Sequence, residues 1–133
     1  MTNKSKKILS EISAGELLDK ITILEIKLDK IKNEIDNNLV KKEYDILKKT
    51  QETFIKIDNK ILELFDSLKN VNLMLWNVED KLRIFEKNKD FGESFIKLAR
   101  EVYFNNDKRA SIKSQINTIL GSNIREIKQY VKY

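Results

Sequence analysis

The sequence predicts an all-α protein made of long helices, and three observations carry that expectation. The 133 residues include no proline, only Gly15, Gly92 and Gly121 could interrupt a helix, and apolar residues recur at spacings of three and four over most of the length. A hydrophobic content of 41% suffices for a core, so residues 1–133 are expected to form a single helical domain, with 1–12 and 121–133 as less ordered or docking tails. The expected architecture is a set of antiparallel long-helix hairpins of coiled-coil type, one long central helix flanked by two shorter ones.

The first helix opens at a capping box, Ser13 to Glu16, where the serine hydroxyl can accept from the Glu16 N–H while the glutamate reaches back. Ala14, Leu17, Ile21, Leu24, Leu28, Ile31 and Ile35 follow as a narrow seam. Asp36, Asn37 and Asn38 supply a turn, since such side chains compete with helix hydrogen bonds. The helix is therefore expected over 14–36.

No breaker separates Leu39 from Asn88. The seam Val40, Tyr44, Leu47, Gln51, Phe54 continues as Ile57, Ile61, Leu64, Leu68, Val71, Leu75, Val78, Leu82 and Phe85, with the three-residue step after Phe54 read as local overwinding. This predicts one central helix of about 49 residues, roughly 73 Å long at the α-helical rise. Its weak point is Asn70 and Asn72, and a break at 70–72 would make the alternative, a four-helix bundle.

Asp90 is expected to cap the helix 91–120 with Glu93 as box partner, and Gly121 to end it. Its seam runs Phe91, Phe95, Leu98, Val102, Asn105, Arg109, Ile112, Ile116 and Ile119, so the stretch "FNNDKRA" at 104–110 places polar groups where apolar ones should continue. Ile124, Ile127, Tyr130 and Val131 suggest a short docking helix. Short links make neighbouring helices antiparallel, with the first helix against residues 40–64 and the last against 88 back to 59. Two-helix thickness leaves apolar stripes uncovered, which predicts a homodimer or higher homo-oligomer, or another protein partner.

Composition excludes much chemistry. Without cysteine or histidine there are no disulfides, thiolate or imidazole metal sites, Ser-His or Cys-His couples, or histidine switches. The net charge of +5 is concentrated in the tails: Lys4, Lys6 and Lys7 against Glu11, and Arg125, Lys128 and Lys132 against Glu126, give +2 at each end. Nucleic acid is not an expected partner on that distribution, because phosphate binding needs cations gathered on one surface. Glu11 interrupts the basic start and no apolar run reaches the roughly 18 residues of a membrane span, so a cytoplasmic location is expected.

Three segments, "GELLDKITILEIKLDKI", "LWNVEDKLRIFEKNKDFG" and "FIKLAREVYFNNDKRASIKSQIN", together resemble a family of small bacterial helical proteins known as a domain of unknown function. The likeness covers most of 12–130, leaves about 37–60 unmatched, and implies no activity. It implies a family pattern at Glu16, Asp19, Lys20, Glu25 and Lys27, and at Trp76, Glu79, Asp80, Arg83, Asp90, Phe91 and Gly92. Arg100, Tyr103, Asn106, Asp107, Arg109, Lys113 and Asn117 complete it. Ala14 departs from the pattern, standing where a helix-starting proline is expected.

Two readings of the polar stretch follow. In one it is a polar layer that fixes helix register; pairing residues whose numbers sum to about 179 sets Arg100 beside Glu79 and Asp80, Tyr103 beside Trp76, and Asn106 and Asp107 near Asn72. In the other, acids and bases of several helices form a pocket for a small anionic or phosphorylated ligand. Its residues would be Glu16, Asp19, Lys20, Glu79, Asp80, Arg100, Asn106, Asp107, Arg109, Lys113 and Asn117. The functional expectation is an interaction or assembly module with such a pocket. The alternative is a Mg²⁺-dependent nucleotide pyrophosphohydrolase, with Glu16, Asp19 and the similarly spaced Glu63 and Asp66 holding the metal; no catalytic residue is assigned and no cofactor is expected otherwise. Trp76, Tyr103, Phe91 and Phe95 are expected as core anchors, and a lone Gly15 says little by itself about anion approach.

Overall fold

A computed structural model describes residues 6–133; Lys4 lies outside them. Among the described residues there are four helices and no strand: α1 (Ala14–Lys30), α2 (Glu34–Phe54), α3 (Asn59–Lys87) and α4 (Glu93–Leu120). The all-α expectation holds, but the single central rod does not, and the break lies at 55–58 rather than 70–72.

The first boundary shows why the polar triplet misled. Ser13 caps α1 as expected, accepting from the Glu16 N–H at 3.1 Å. The helix ends at Lys30, because Ile31 turns extended and Asn33 caps α2 by accepting from the Asp36 N–H at 3.0 Å. Glu34 and Asp36 then sit in the first turn of α2, where acidic groups favour the helix dipole. Asn37 donates to the carbonyls of Leu28 and Ile31 at 3.1 and 3.0 Å. Thus Asp36 and Asn37, read as a turn, instead sit at the start of one helix, and Asn37 satisfies the end of another.

The three-residue step after Phe54 marks the second boundary. Ile55 is extended and buried with Leu17, Ile21 and Ile61, and Asp58 caps α3 by accepting from the Ile61 N–H at 2.9 Å. Leaving the helix lets Ile55 and Ile57 turn into the core. At 70–72 the helix continues, since Asn72 spends its side chain on α1 rather than on its own backbone.

α3 and α4 form the antiparallel hairpin the sequence implies, with Phe85 and Phe95 edge to face at 6.4 Å between ring centroids. The cap differs: Gly92 is the N-cap, and Asp90 forms a turn by accepting from the Gly92 N–H at 3.2 Å. Gly121 closes α4 with φ 60°, a left-handed terminator. Beyond it, residues 123–133 are not helical, so the expected docking helix is absent.

The central element is α1, which contacts all three other helices, while α2 packs on α1 alone. Leu17, Leu18, Ile21, Leu24 and Ile26 are all buried, so α1 is apolar on more than one side and belongs inside. The seam from Ala14 to Ile35 holds only one of those sides, without Leu18 and Ile26. Tyr44 beside Glu25 places α2 antiparallel to α1. The pairs Gly15–Asn117, Glu16–Lys113 and Asp19–Arg109 make α4 antiparallel to it as well, so α3 runs parallel to α1. Leu18, Ile21, Ile61, Leu68 and Ile116 are wholly buried, each contributing about 1.5–3 kcal/mol of transfer free energy. No helix among the described residues is long and apolar enough to cross a membrane.

Candidate functional site

Asp19 lies on the buried side of α1 at 1% exposure, where an isolated carboxylate would be strongly disfavoured. Two other helices compensate it. From α4, Arg109 donates Nε to Oδ1 at 2.9 Å and Nη2 to Oδ2, a bidentate pair. From α3, Asn72 donates to Oδ1 and to the Thr22 hydroxyl, both at 2.8 Å, while Thr22 donates to the Asp19 carbonyl at 2.7 Å. The hydrogen bonds that Arg109 donates to Asp19, with the attraction of Asp19 and Glu16, outweigh burial and raise the Arg109 pKa. The guanidinium is thus a fixed, permanently charged group.

One turn further along α4, Lys113 is buried against three carboxylates: Glu16 at 2.8 Å, Glu126 at 3.0 Å and Asp19 at 3.9 Å. Burial alone would lower its pKa, but the hydrogen bonds to Glu16 and Glu126 prevail and raise it. Hydrogen bonds from Lys128 and Lys113 hold Glu126 at about 2. Another turn on, Asn117 accepts from the Gly15 N–H at 2.7 Å. Gly15, Glu16 and Asp19 therefore meet Asn117, Lys113 and Arg109 rung by rung.

Of these side chains Arg109 reaches an open cleft of about 570 Å³ between α1, α3 and α4. Ile23, Ile26, Leu75 and Trp76 make its apolar wall, Asn72, Asn106 and Arg109 its polar base, and Glu79, Asp80 and Arg83 its edge. Trp76 is thus a wall of the cleft rather than a core anchor. Tyr103 and Phe91 are exposed and Phe95 half-buried, and none of the four belongs to the main core cluster.

Of the residues singled out in the sequence, Glu16, Asp19, Asn106, Arg109, Lys113 and Asn117 gather on the α1–α4 side of this region, with Glu79 and Asp80 across the cleft. Lys20 lies at the surface, 3.7 Å from Glu16. Arg100 and Asp107 are elsewhere. Arg100 lies 5.5 Å over the Phe104 ring and Asp107 accepts from the Tyr133 hydroxyl; Glu79 pairs with Arg83 at 3.0 Å. At 100° per residue, 100 and 107 fall on the face of α4 opposite 109, which pairing by summed positions ignores. Asn105, also in the polar stretch, is buried and donates to Glu101, its carbonyl at 2.8 Å.

Thr22 and Glu126 lie outside the expected set, and Asn72, expected only beside Asn106 and Asp107 in the polar layer, instead bonds Asp19 and Thr22. Thr22 left a signal, being polar three residues after Asp19 on an otherwise apolar face; Glu126 left none. The acidic pairs of the metal-dependent alternative do not come together: Glu16 and Asp19 face cations, Glu63 lies 4.0 Å from Lys60, and among the described residues no three potential ligands cluster for a metal ion.

No curated protein and no solved structure matches the chain. Residues 8–132 match a family profile, and in keeping with the three segments around this cleft the chain belongs to the family of unknown function DUF6165.

Proposed function

We propose that the protein is a small-ligand binding module whose cleft takes a molecule with a flat or apolar body and an anionic end. The observation that carries this is Arg109, held from behind by buried Asp19 at the base of a cleft walled by Trp76. A guanidinium fixed through Nε and Nη2 keeps Nη1, which makes no hydrogen bond among the described residues, for an incoming oxyanion. Apolar walls with few convergent polar groups are the usual make-up of a ligand pocket.

Trp76 is the only tryptophan, so its fluorescence reports on the cleft. Titration with a nucleoside monophosphate or an aromatic carboxylate is expected to change that signal saturably, and a neutral aromatic of similar size to bind at least about tenfold more weakly. Arg109→Lys, which keeps the charge but loses the fork, should weaken the anions by about tenfold. The absence of a saturable response to any anion would refute the reading.

Self-association is a second reading, supported by α2. Ile35, Leu39, Ile46 and Phe54 are exposed along one side of this outermost helix, and Phe54 is 79% exposed. We infer that a second copy of the chain covers this stripe, since contiguous exposed apolar side chains mark interaction surfaces. Sedimentation should show a dimer or larger species that Leu39→Lys with Ile46→Lys converts to monomer; a monomeric wild type at high concentration would exclude it.

A further inference from the structure

Residues 122–133 run back over α4 as a non-helical strap fastened at both ends. At one end the Ser122 hydroxyl accepts from the Ala14 N–H at 3.1 Å. At the other, the Tyr133 ring stands 5.4 Å from the rings of both Tyr103 and Phe104, and its hydroxyl donates to Asp107. Between these fastenings the strap and α4 enclose a second cavity of about 210 Å³. Arg109, Lys113 and Lys128 line it together with Asn106, Tyr130 and one carboxylate, that of Glu126.

Glu126 bridges Lys113 and Lys128, as an oxyanion would. It is the strap's own carboxylate, 38% exposed, whereas the other two acids at Lys113 and Arg109 belong to the helical body. With Glu16 and Asp19 counted, three cations meet three carboxylates while Glu126 is in place and two once it swings out. Its departure leaves one positive charge in excess among these groups, at a buried lysine that then keeps only the carboxylates of the helical body.

We propose that this cavity binds a tetrahedral oxyanion of the phosphoryl class on Arg109, Lys113 and Lys128, and that Glu126 is the built-in competitor which the anion displaces. Arg109 and Asn106 also line the Trp76 cleft. The inference therefore rests on the cleft reading and deepens it, assigning the ligand's anionic end to a phosphoryl group. The exchange needs only rotation of the Glu126 side chain and a shift of the strap between its fastenings, with no change in the helices.

The test is calorimetric titration of inorganic phosphate into the wild type, Glu126→Gln and a distant control, Glu86→Gln. Loss of the competing carboxylate should tighten phosphate binding by about tenfold, the control should match the wild type, and saturating phosphate should speed amide exchange in residues 123–129 of the wild type. Equal affinity in wild type and Glu126→Gln would overturn the competition, as would equal gains in both variants. Phosphate binding to none of the three while Trp76 still responds to an aromatic carboxylate would remove the phosphoryl assignment and leave the cleft reading standing. Silence in both assays would remove both.

Discussion

Gly15 and Lys113 approach so closely that a methyl group on the glycine would stand 2.6 Å from the Lys113 carbonyl oxygen and 2.9 Å from Asn117 Oδ1. This contact seats the start of α1 on α4 and sets the level of Glu16 and Asp19. Gly15→Ala forces a methyl group against the Lys113 backbone, which side-chain rotation cannot relieve, so a loss of roughly 2 kcal/mol is expected in chemical denaturation. A variant within about 0.5 kcal/mol of wild type would show that the helices are further apart than described.

Asp19 should behave as a member of a coupled unit. Arg109→Met leaves a buried carboxylate with one remaining close donor from another helix, Asn72, and is expected to cost about 3–5 kcal/mol. Asn72→Ala removes one hydrogen bond to the Asp19 carboxylate and one to the Thr22 hydroxyl and should cost about 1–3 kcal/mol. Because both partners engage the same oxygen, Oδ1, the double variant should depart from additivity by at least about 0.5 kcal/mol. Strict additivity would mean that the two contacts to Asp19 are independent.

Strap closure carries a pH signature. The two lysines hold Glu126 at about 2, below its ordinary 4.5. Its ion pairs therefore stabilise the protein fully above about 4.5, and the contribution disappears as pH falls to about 2. Solvent screening of a carboxylate 38% exposed limits the effect to about 1 kcal/mol. The stability difference between wild type and Glu126→Gln should shrink over that window in acid melts. A difference that persists unchanged to pH 2 would show that ionisation of Glu126 is not what fastens the strap.

The position of the central break makes a paired prediction. Asp58 caps α3, so Asp58→Ala should destabilise by about 1 kcal/mol. Asn70 is exposed within continuous helix, and Asn70→Ala should be neutral or stabilise by a few tenths of a kcal/mol, about the propensity difference. The opposite ordering in thermal melts would put the break back at 70–72.

Local signals were legible in the sequence because their physics spans a few residues. Ser13 and Gly121 end helices as their side chains and backbone freedom dictate, and the short 88–92 link brings Phe85 to Phe95. The skip after Phe54 was also visible, but a three-residue step suits an overwound helix as well as a broken one. What separates these is the burial of Ile55 beside Leu17 and Ile61, a contact between distant segments.

From the residues alone came the all-helical class, the outer helix ends at Ala14, Lys87 and Leu120, and the identity of the polar groups awaiting partners. The tertiary structure decided which helix is central and which charges meet. Asp19 and Arg109 stand 90 positions apart, and no periodicity relates them; only the packing of α1 between α3 and α4 takes the carboxylate out of water and makes the guanidinium its necessary neighbour. The strap illustrates the same limit, since nothing about Glu126 in its own segment shows that a buried lysine of α4 lies within its reach.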